Sequence, residues 1–221
     1  MKKYAVIVAG GSGERMKAAV PKQFMLINGK PILYYTIHAF LEAYTEIEII
    51  LVLPEGHIAK GQEIIDGYFQ LGNIHVVAGG KTRFHSVQKG LGFVKVESIV
   101  FVHDGVRCFT SPPLIHRCYE AAVEHGTAIP AVPSKDSIRF VIGDTNKPVN
   151  RKDVMLIQTP QTFHSRILLP AYKIDYKDKF TDDATVVEAY GLKVHLVPGD
   201  ESNIKITTPF DFSLAQQLAK Q

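Results

Sequence analysis

The sequence has little of what would place it outside a reducing compartment or on a nucleic acid. It carries two cysteines, Cys108 and Cys118, in one region and with no Cys-x-x-Cys pair. That argues against a disulfide framework and against a cysteine-rich zinc site. The histidines are scattered, and His103 has no spaced His or Cys partner, so it reads as structural rather than as a metal ligand. No run of Lys or Arg marks a nucleic-acid footprint, and the net charge is a mild +3. The N-terminal MKKYAVIVAGG is too short an apolar run for a membrane span or a secretory segment, and reads as a first strand. Covalent catalysis has no support, since neither a Gly-x-Ser-x-Gly elbow nor a useful Cys–His pairing occurs. No repeat, low-complexity tract or linker divides the chain. One soluble domain over 1–221 is expected, cytoplasmic, with neither nucleic acid nor membrane as partner.

What is present is alternation. Apolar runs at 4–9, 47–53, 74–78, 98–102 and 127–132 read as buried strands. Helical patterns fall between them at 31–43, 56–70, 84–93 and about 112–125, the first opening on Pro31 at an expected N1 position. This spacing predicts an α/β fold, an open and mostly parallel sheet with helices on both faces. Ligands of such sheets gather beyond the carboxyl ends of the strands. The pattern breaks at 133–158, where SIRFVI and VMLIQ are joined by the turn-rich GDTNKPVN. A two-stranded excursion is expected there, over about 134–157. Such a ribbon is marginal alone and needs a surface to pack on, such as a partner subunit. Further on come a helix near 164–171, a helix start at TDDATVVEAYG with Thr181 as cap, a strand at 193–197 and a helix at 209–219.

The stretch AVIVAGGSGERMKAAVPKQF, 5–24, poses the functional question. A dinucleotide fingerprint would need a third glycine where Met16 stands, and an acid at the end of the second strand where LVLP stands. The NTPase phosphate loop fails as well, because Gly10 is followed by Arg15 and Met16 instead of Gly-Lys-Ser/Thr. Gly10, Gly11 and Gly13 permit close backbone approach, and their amides suit an anion nest with Arg15 and Lys22 alongside. A tight turn with solvated charges is the plain alternative. In FVHDGVRCF, Asp104 follows a strand directly and could hold Mg²⁺ against phosphates, or could simply pair with Arg107. GGKTRFHSV, 79–87, places Arg83 and Ser86 in a polar turn entering a helix. Lys205 stands in NIKITTP. Phosphoryl-type transfer needs charge stabilisation, positioning and a metal rather than a covalent nucleophile.

VAGGSGERM–PKQF, GGKTRFHSV, VHDGVR, QTPQTF, TDDATVVEAYG and NIKITTPFD occur in this order across the whole chain. Together they closely resemble the 2-C-methyl-D-erythritol 4-phosphate cytidylyltransferase family, within the nucleotidyltransferases that act on sugar and polyol phosphates. The resemblance implies a Rossmann-like nucleotidyltransferase domain with a β-arm for homodimerisation, and transfer of CMP from CTP to the polyol phosphate with loss of pyrophosphate. It implies that Ala9, Gly10, Gly11, Ser12 and Gly13 wrap CTP, and that Arg15 and Lys22 stabilise the α-phosphate. Asp104 would help to hold Mg²⁺ or another divalent cation, and Arg83, Ser86 and Gly105 would lie around the cytidine. Arg107, Thr159 and Lys205 would face the polyol phosphate, joined by Ser137 and Arg151 from a second subunit's arm. Ser137 stands where the family usually has Thr, VAGG where it often has Pro-Ala-Ala-Gly, and HDGVRC where it has HDAARP. The ribitol 5-phosphate cytidylyltransferases resemble the CTP loops almost as well, but TDDATVVEAYG favours the erythritol family. A non-catalytic nucleotide-binding regulator on the same fold is the alternative of another class.

Overall fold

The computed structural model describes residues 1–11, 20–70 and 72–220. In chain order it contains β1 (Lys2–Val8), β2 (Leu26–Ile27), β3 (Lys30–Pro31), α1 (Ile32–Ala43), β4 (Glu48–Leu53), α2 (Ile58–Tyr68), β5 (Ile74–Ala78), α3 (Arg83–Leu91), β6 (Ser98–Asp104), α4 (Pro112–His125) and β7 (Thr127–Pro133). There follow β8 (Ile138–Ile142), β9 (Thr145–Val149), β10 (Met155–Ile157), β11 (Gln161–His164), α5 (Ser165–Ala171), α6 (Asp183–Ala189), β12 (Leu196–Pro198) and α7 (Pro209–Leu218).

The unbroken apolar run of β1 explains its place. Both of its edges are paired in parallel, one to β4 and one to β6. Its side chains alternate between two helical layers. Ala5 and Ile7 join Leu33, Ile37 and Phe40 of α1 and Leu114 and Cys118 of α4. Tyr4, Val6 and Val8 face Phe84 and Val87 of α3, Leu168 of α5 and Val186 of α6. The full order is β10-β7-β11-β6-β1-β4-β5, with β12 parallel to β7. Strand order reverses between β1 and β6, so the crevice for ligands opens where those two end, at the cross-strand pair Val8 and Asp104.

The expected fifth strand is present as β7, but it does not touch β6. The short strand β11 stands between them, antiparallel to both. QTPQTF has no apolar run to announce a strand. It is buried all the same, because Gln161 spends both ends of its amide: Nε2 donates to Asp182 Oδ2 at 2.8 Å, and Oε1 accepts from the Ala184 N–H at 2.8 Å.

Helix starts differ slightly from expectation. Pro31 is the N-cap of α1 rather than its first residue, since pairing with Leu26 keeps it extended. Asp182, not Thr181, caps α6, and it forms a capping box with Thr185. The excursion is real, but SIRFVI pairs with Thr145–Val149 rather than with VMLIQ. Gly143, at φ +55°, opens the two-residue turn, as a type II′ hairpin requires. VMLIQ supplies β10, which joins the main sheet on β7. The tip strand leaves Phe140, Val141 and Ile142 at 57%, 70% and 59% exposure.

Candidate active site

The loops that follow β1, β5 and β6 each begin by continuing the ladder. The Ala9 amide donates to Val52 O at 2.9 Å, Gly79 to Leu53 O at 2.7 Å, and Gly105 to Val8 O at 2.9 Å. All leave the sheet on the same side and frame a cleft of about 430 Å³. Its walls include Ala9, Gly10, Gly11, Lys22, Arg83, Ser86, Asp104 and Lys205 from the sequence expectation, with Glu55 and Lys81 in addition. Ser12, Gly13 and Arg15 lie outside the described residues. Gly105, Arg107 and Thr159 sit just behind the wall rather than in it. Ser137 and Arg151 are exposed on the arm segment, where Arg151 Nη1 donates to Lys135 O at 3.2 Å, and neither lines this cleft.

Two of the cleft's turns depend on glycine. A Cβ on Gly80 would lie 2.4 Å from His85 Cβ, because the first turn of α3 folds back on the loop. A Cβ on Gly105 would lie 2.8 Å from Ala9 Cβ. Ser86 Oγ fastens the same turn, accepting from the Gly80 N–H at 3.1 Å and donating to Thr82 O at 3.0 Å. Any contact of Ser86 with a ligand therefore competes with this local bond.

Asp104 is the electrostatic centre. Its carboxylate is 2.8 Å from Lys205 Nζ, 3.3 Å from Arg83 Nε and 3.7 Å from Arg107 Nε. Burial on its own would raise the Asp104 pKa, but Arg83 and Lys205, then Arg107, outweigh it and hold the carboxyl well below the usual carboxylate range. Arg83 also grips Asp183 with both terminal nitrogens, at 3.0 and 2.7 Å. Burial disfavours the Arg83 charge, yet Asp183 and Asp104 raise its pKa well above the ordinary arginine value. For Arg107 burial prevails and lowers the pKa, while its fork is held by Asn203 O at 2.8 Å and Ile157 O at 3.5 Å.

Behind Asp104 lies a neutral scaffold. His103 is fully buried, and that burial brings its pKa down to about 4. Its Nε2 stands 3.1 Å from the Arg107 carbonyl, which only accepts, so Nε2 carries the proton. Nδ1 then accepts from the Thr159 hydroxyl at 3.0 Å, and Thr159 Oγ1 in turn accepts the Asp104 N–H at 3.1 Å. This chain fixes the end of β6. Lys22, buried in the short 3₁₀ turn Lys22–Phe24, donates to Ile206 O at 3.1 Å from the far wall.

Several comparisons bear on this geometry. The family model described as IspD, 2-C-methyl-D-erythritol 4-phosphate cytidylyltransferase, matches residues 4–221. The chain belongs to this family. It is 45% identical to the 2-C-methyl-D-erythritol 4-phosphate cytidylyltransferase of Phocaeicola vulgatus over 218 residues, covering 99% of this chain and 100% of the relative. Its fold matches the crystal structure of 4-diphosphocytidyl-2C-methyl-D-erythritol synthase from Anaerococcus prevotii with a TM-score of 0.85 at 32% identity, over 100% and 96% of the two chains. It likewise matches the cytidylyltransferase of Thermus thermophilus at a TM-score of 0.80 and 30% identity, over 100% of each chain. These relatives carry the name of the methylerythritol phosphate activity, as the TDDATVVEAYG reading favoured.

Sequence reasoning placed Thr159 on the substrate side, but did not assign Asp183, Tyr172 or the bond between Thr159 and His103 to the site. One signal was available for Asp183. In TDDA, a single aspartate suffices to cap the helix, which leaves the second for another task.

Proposed function

We propose that the chain transfers CMP from CTP to 2-C-methyl-D-erythritol 4-phosphate, giving 4-diphosphocytidyl-2-C-methyl-D-erythritol and pyrophosphate. The observation that carries this reading is the strand-end cleft, in which glycine turns and cations surround the Asp104 carboxylate, in a chain of this family. A phosphate oxygen of the polyol phosphate attacks the α-phosphorus of CTP in line. The bond from that phosphorus to the α–β bridging oxygen breaks, and pyrophosphate takes the electron pair. The attacking monoester is already largely a dianion near pH 7, so the cleft needs no general base. Lys22, with Arg15, meets charge on the α-phosphate. The turns at Gly10–Gly11 and at 79–83 hold the nucleotide, and Lys205 meets the acceptor side.

Among the described residues no group of three or more His, Cys, Asp or Glu could enclose a metal. A buried strand-end carboxylate beside space for a triphosphate still fits Mg²⁺, which prefers one or two protein carboxylates plus phosphate oxygens and water. Asp104 would be its protein ligand. When bound, the cation would offset negative charge on the nucleotide phosphates.

The arm completes the reading. A second copy of the chain would bring Ser137 and Arg151 to this cleft, and the exposed Phe140, Val141 and Ile142 give the ribbon an apolar surface for that contact. The enzyme would then work as a homodimer in the cytoplasm. Arg151→Ala is expected to raise KM for the polyol phosphate about 10- to 100-fold, the cost of one charged contact to phosphate, with a smaller change in KM for CTP. Steady-state kinetics with each substrate varied in turn checks this. The function itself is tested by pyrophosphate release from CTP with and without methylerythritol phosphate. Release only when both are present supports it. Release without the acceptor, or none with it, overturns it.

A further inference from the structure

Arg83 bridges two carboxylates of unequal standing. Its terminal nitrogens hold Asp183 at 3.0 and 2.7 Å, while only Nε reaches Asp104, at 3.3 Å. Asp183 is fully buried in the first turn of α6 and also accepts the Tyr172 hydroxyl at 2.5 Å. We propose that Asp183 is a positioning residue whose charge keeps Arg83 neutralised and in place, so that Asp104 can exchange its cationic partners for a divalent cation.

A part-buried guanidinium cannot be left without a partner, because its desolvation is then uncompensated. Asp104 has three cations close by and cannot bind a metal while all of them rely on it. Lys205 is 42% exposed at its side chain and is able to turn to solvent or to a phosphate. Arg107 is already seated on the Asn203 and Ile157 carbonyls. That leaves Arg83, and the planar fork that Asp183 engages is the stronger of its two attachments. Without the Asp183 charge, Arg83 depends on Asp104 alone and competes with the metal for it.

This inference rests on the reading of the cleft as a CTP and Mg²⁺ site, and the test separates the two. Mn²⁺ serves as the probe, its binding to the protein–CTP complex followed by electron paramagnetic resonance with no acceptor present. CTP binding is measured separately in EDTA. In Asp183→Asn the dissociation constant for Mn²⁺ is expected to rise on the order of tenfold, from loss of one nearby charge. Metal-free CTP binding is largely kept, since Arg83 stays at the cleft on Asp104 and no positive charge is lost. A purely structural lesion would weaken both. In the double variant D183N/R83Q, titrated with Mn²⁺ at CTP concentrations that saturate that variant and so offset any lost Arg83 contact with the nucleotide, the competing cation is gone, and Mn²⁺ affinity returns to the wild-type range or exceeds it. Removing both charges leaves neither buried without its partner, so the double variant decides the matter even if the single one does not fold. Mn²⁺ binding equal to wild type in Asp183→Asn, or weaker than wild type in the double variant, overturns the inference alone. Absence of CTP-dependent Mn²⁺ binding in the wild type overturns the metal reading and the inference with it.

Discussion

In the role proposed for Lys22, Lys22→Ala is expected to lower turnover by about 10²–10³-fold, the usual cost of removing one group aimed at charge that develops in the transition state. Lys22 is 9% exposed and its ammonium faces the cleft from a rigid 3₁₀ turn. Its stem runs beside Gly11, where a Cβ would lie 3.8 Å from Lys22 Cε. The charge is thus held near the glycine turn before substrate arrives, and little reorganisation is left for the moment of reaction. The expected signature is a fall in kcat much larger than the rise in KM for CTP, measured by steady-state kinetics on protein whose thermal melt shows it folded. Normal turnover in this variant would remove Lys22 from the chemistry.

Asp104→Asn is expected to cost about 10³-fold or more in activity, and to destabilise the fold as well. The amide is a weaker ligand for the proposed divalent cation, and it leaves Lys205 and Arg107 facing each other without the carboxylate between them. Breaking a buried ion pair by removing one partner typically costs about 3–5 kcal/mol. The pH dependence has a definite sign. The Asp104 pKa is held below its unfolded value, so its contribution to stability is fully present above about pH 4 and is lost as pH falls below that. The variant therefore shows a shallower acid limb in a plot of stability against pH. Chemical denaturation at pH 3–7 of wild type and variant checks it, and parallel curves would contradict it.

Much of this fold is written in continuous apolar runs. YAVIVA and SIVFV can only be strands covered on both faces, and that is where β1 and β6 lie. β11 escapes the same reading because Gln161, Thr162 and His164 are buried through hydrogen bonds rather than through hydrophobicity. The hairpin register escapes it too, since Thr145–Val149 looks like loop and becomes strand only through the turn at Gly143.

The site divides in the same way. Gly10, Gly11, Lys22, Arg83 and Asp104 were visible because charges and glycines directly after apolar strands have few structural reasons to be there. His103 read as structural, and its two bonds within the scaffold agree. The cysteines, free and buried, have thiols that burial pushes up to about 12, far from nucleophilic. Asp183 and Thr159 were legible only in part. Their tasks exist once residues 100 and 55 positions away in the chain are brought against them.

The cleft is expected to join CMP to methylerythritol phosphate rather than to another polyol phosphate. The most direct measurement is kcat/KM for pyrophosphate release with CTP and Mg²⁺, run in parallel on 2-C-methyl-D-erythritol 4-phosphate and D-ribitol 5-phosphate, with the product identified by mass. Rapid release and a cytidine diphosphate adduct are expected with methylerythritol phosphate, and little of either with ribitol phosphate. A clear preference for ribitol phosphate, or CTP binding with no release from either acceptor, would contradict that expectation.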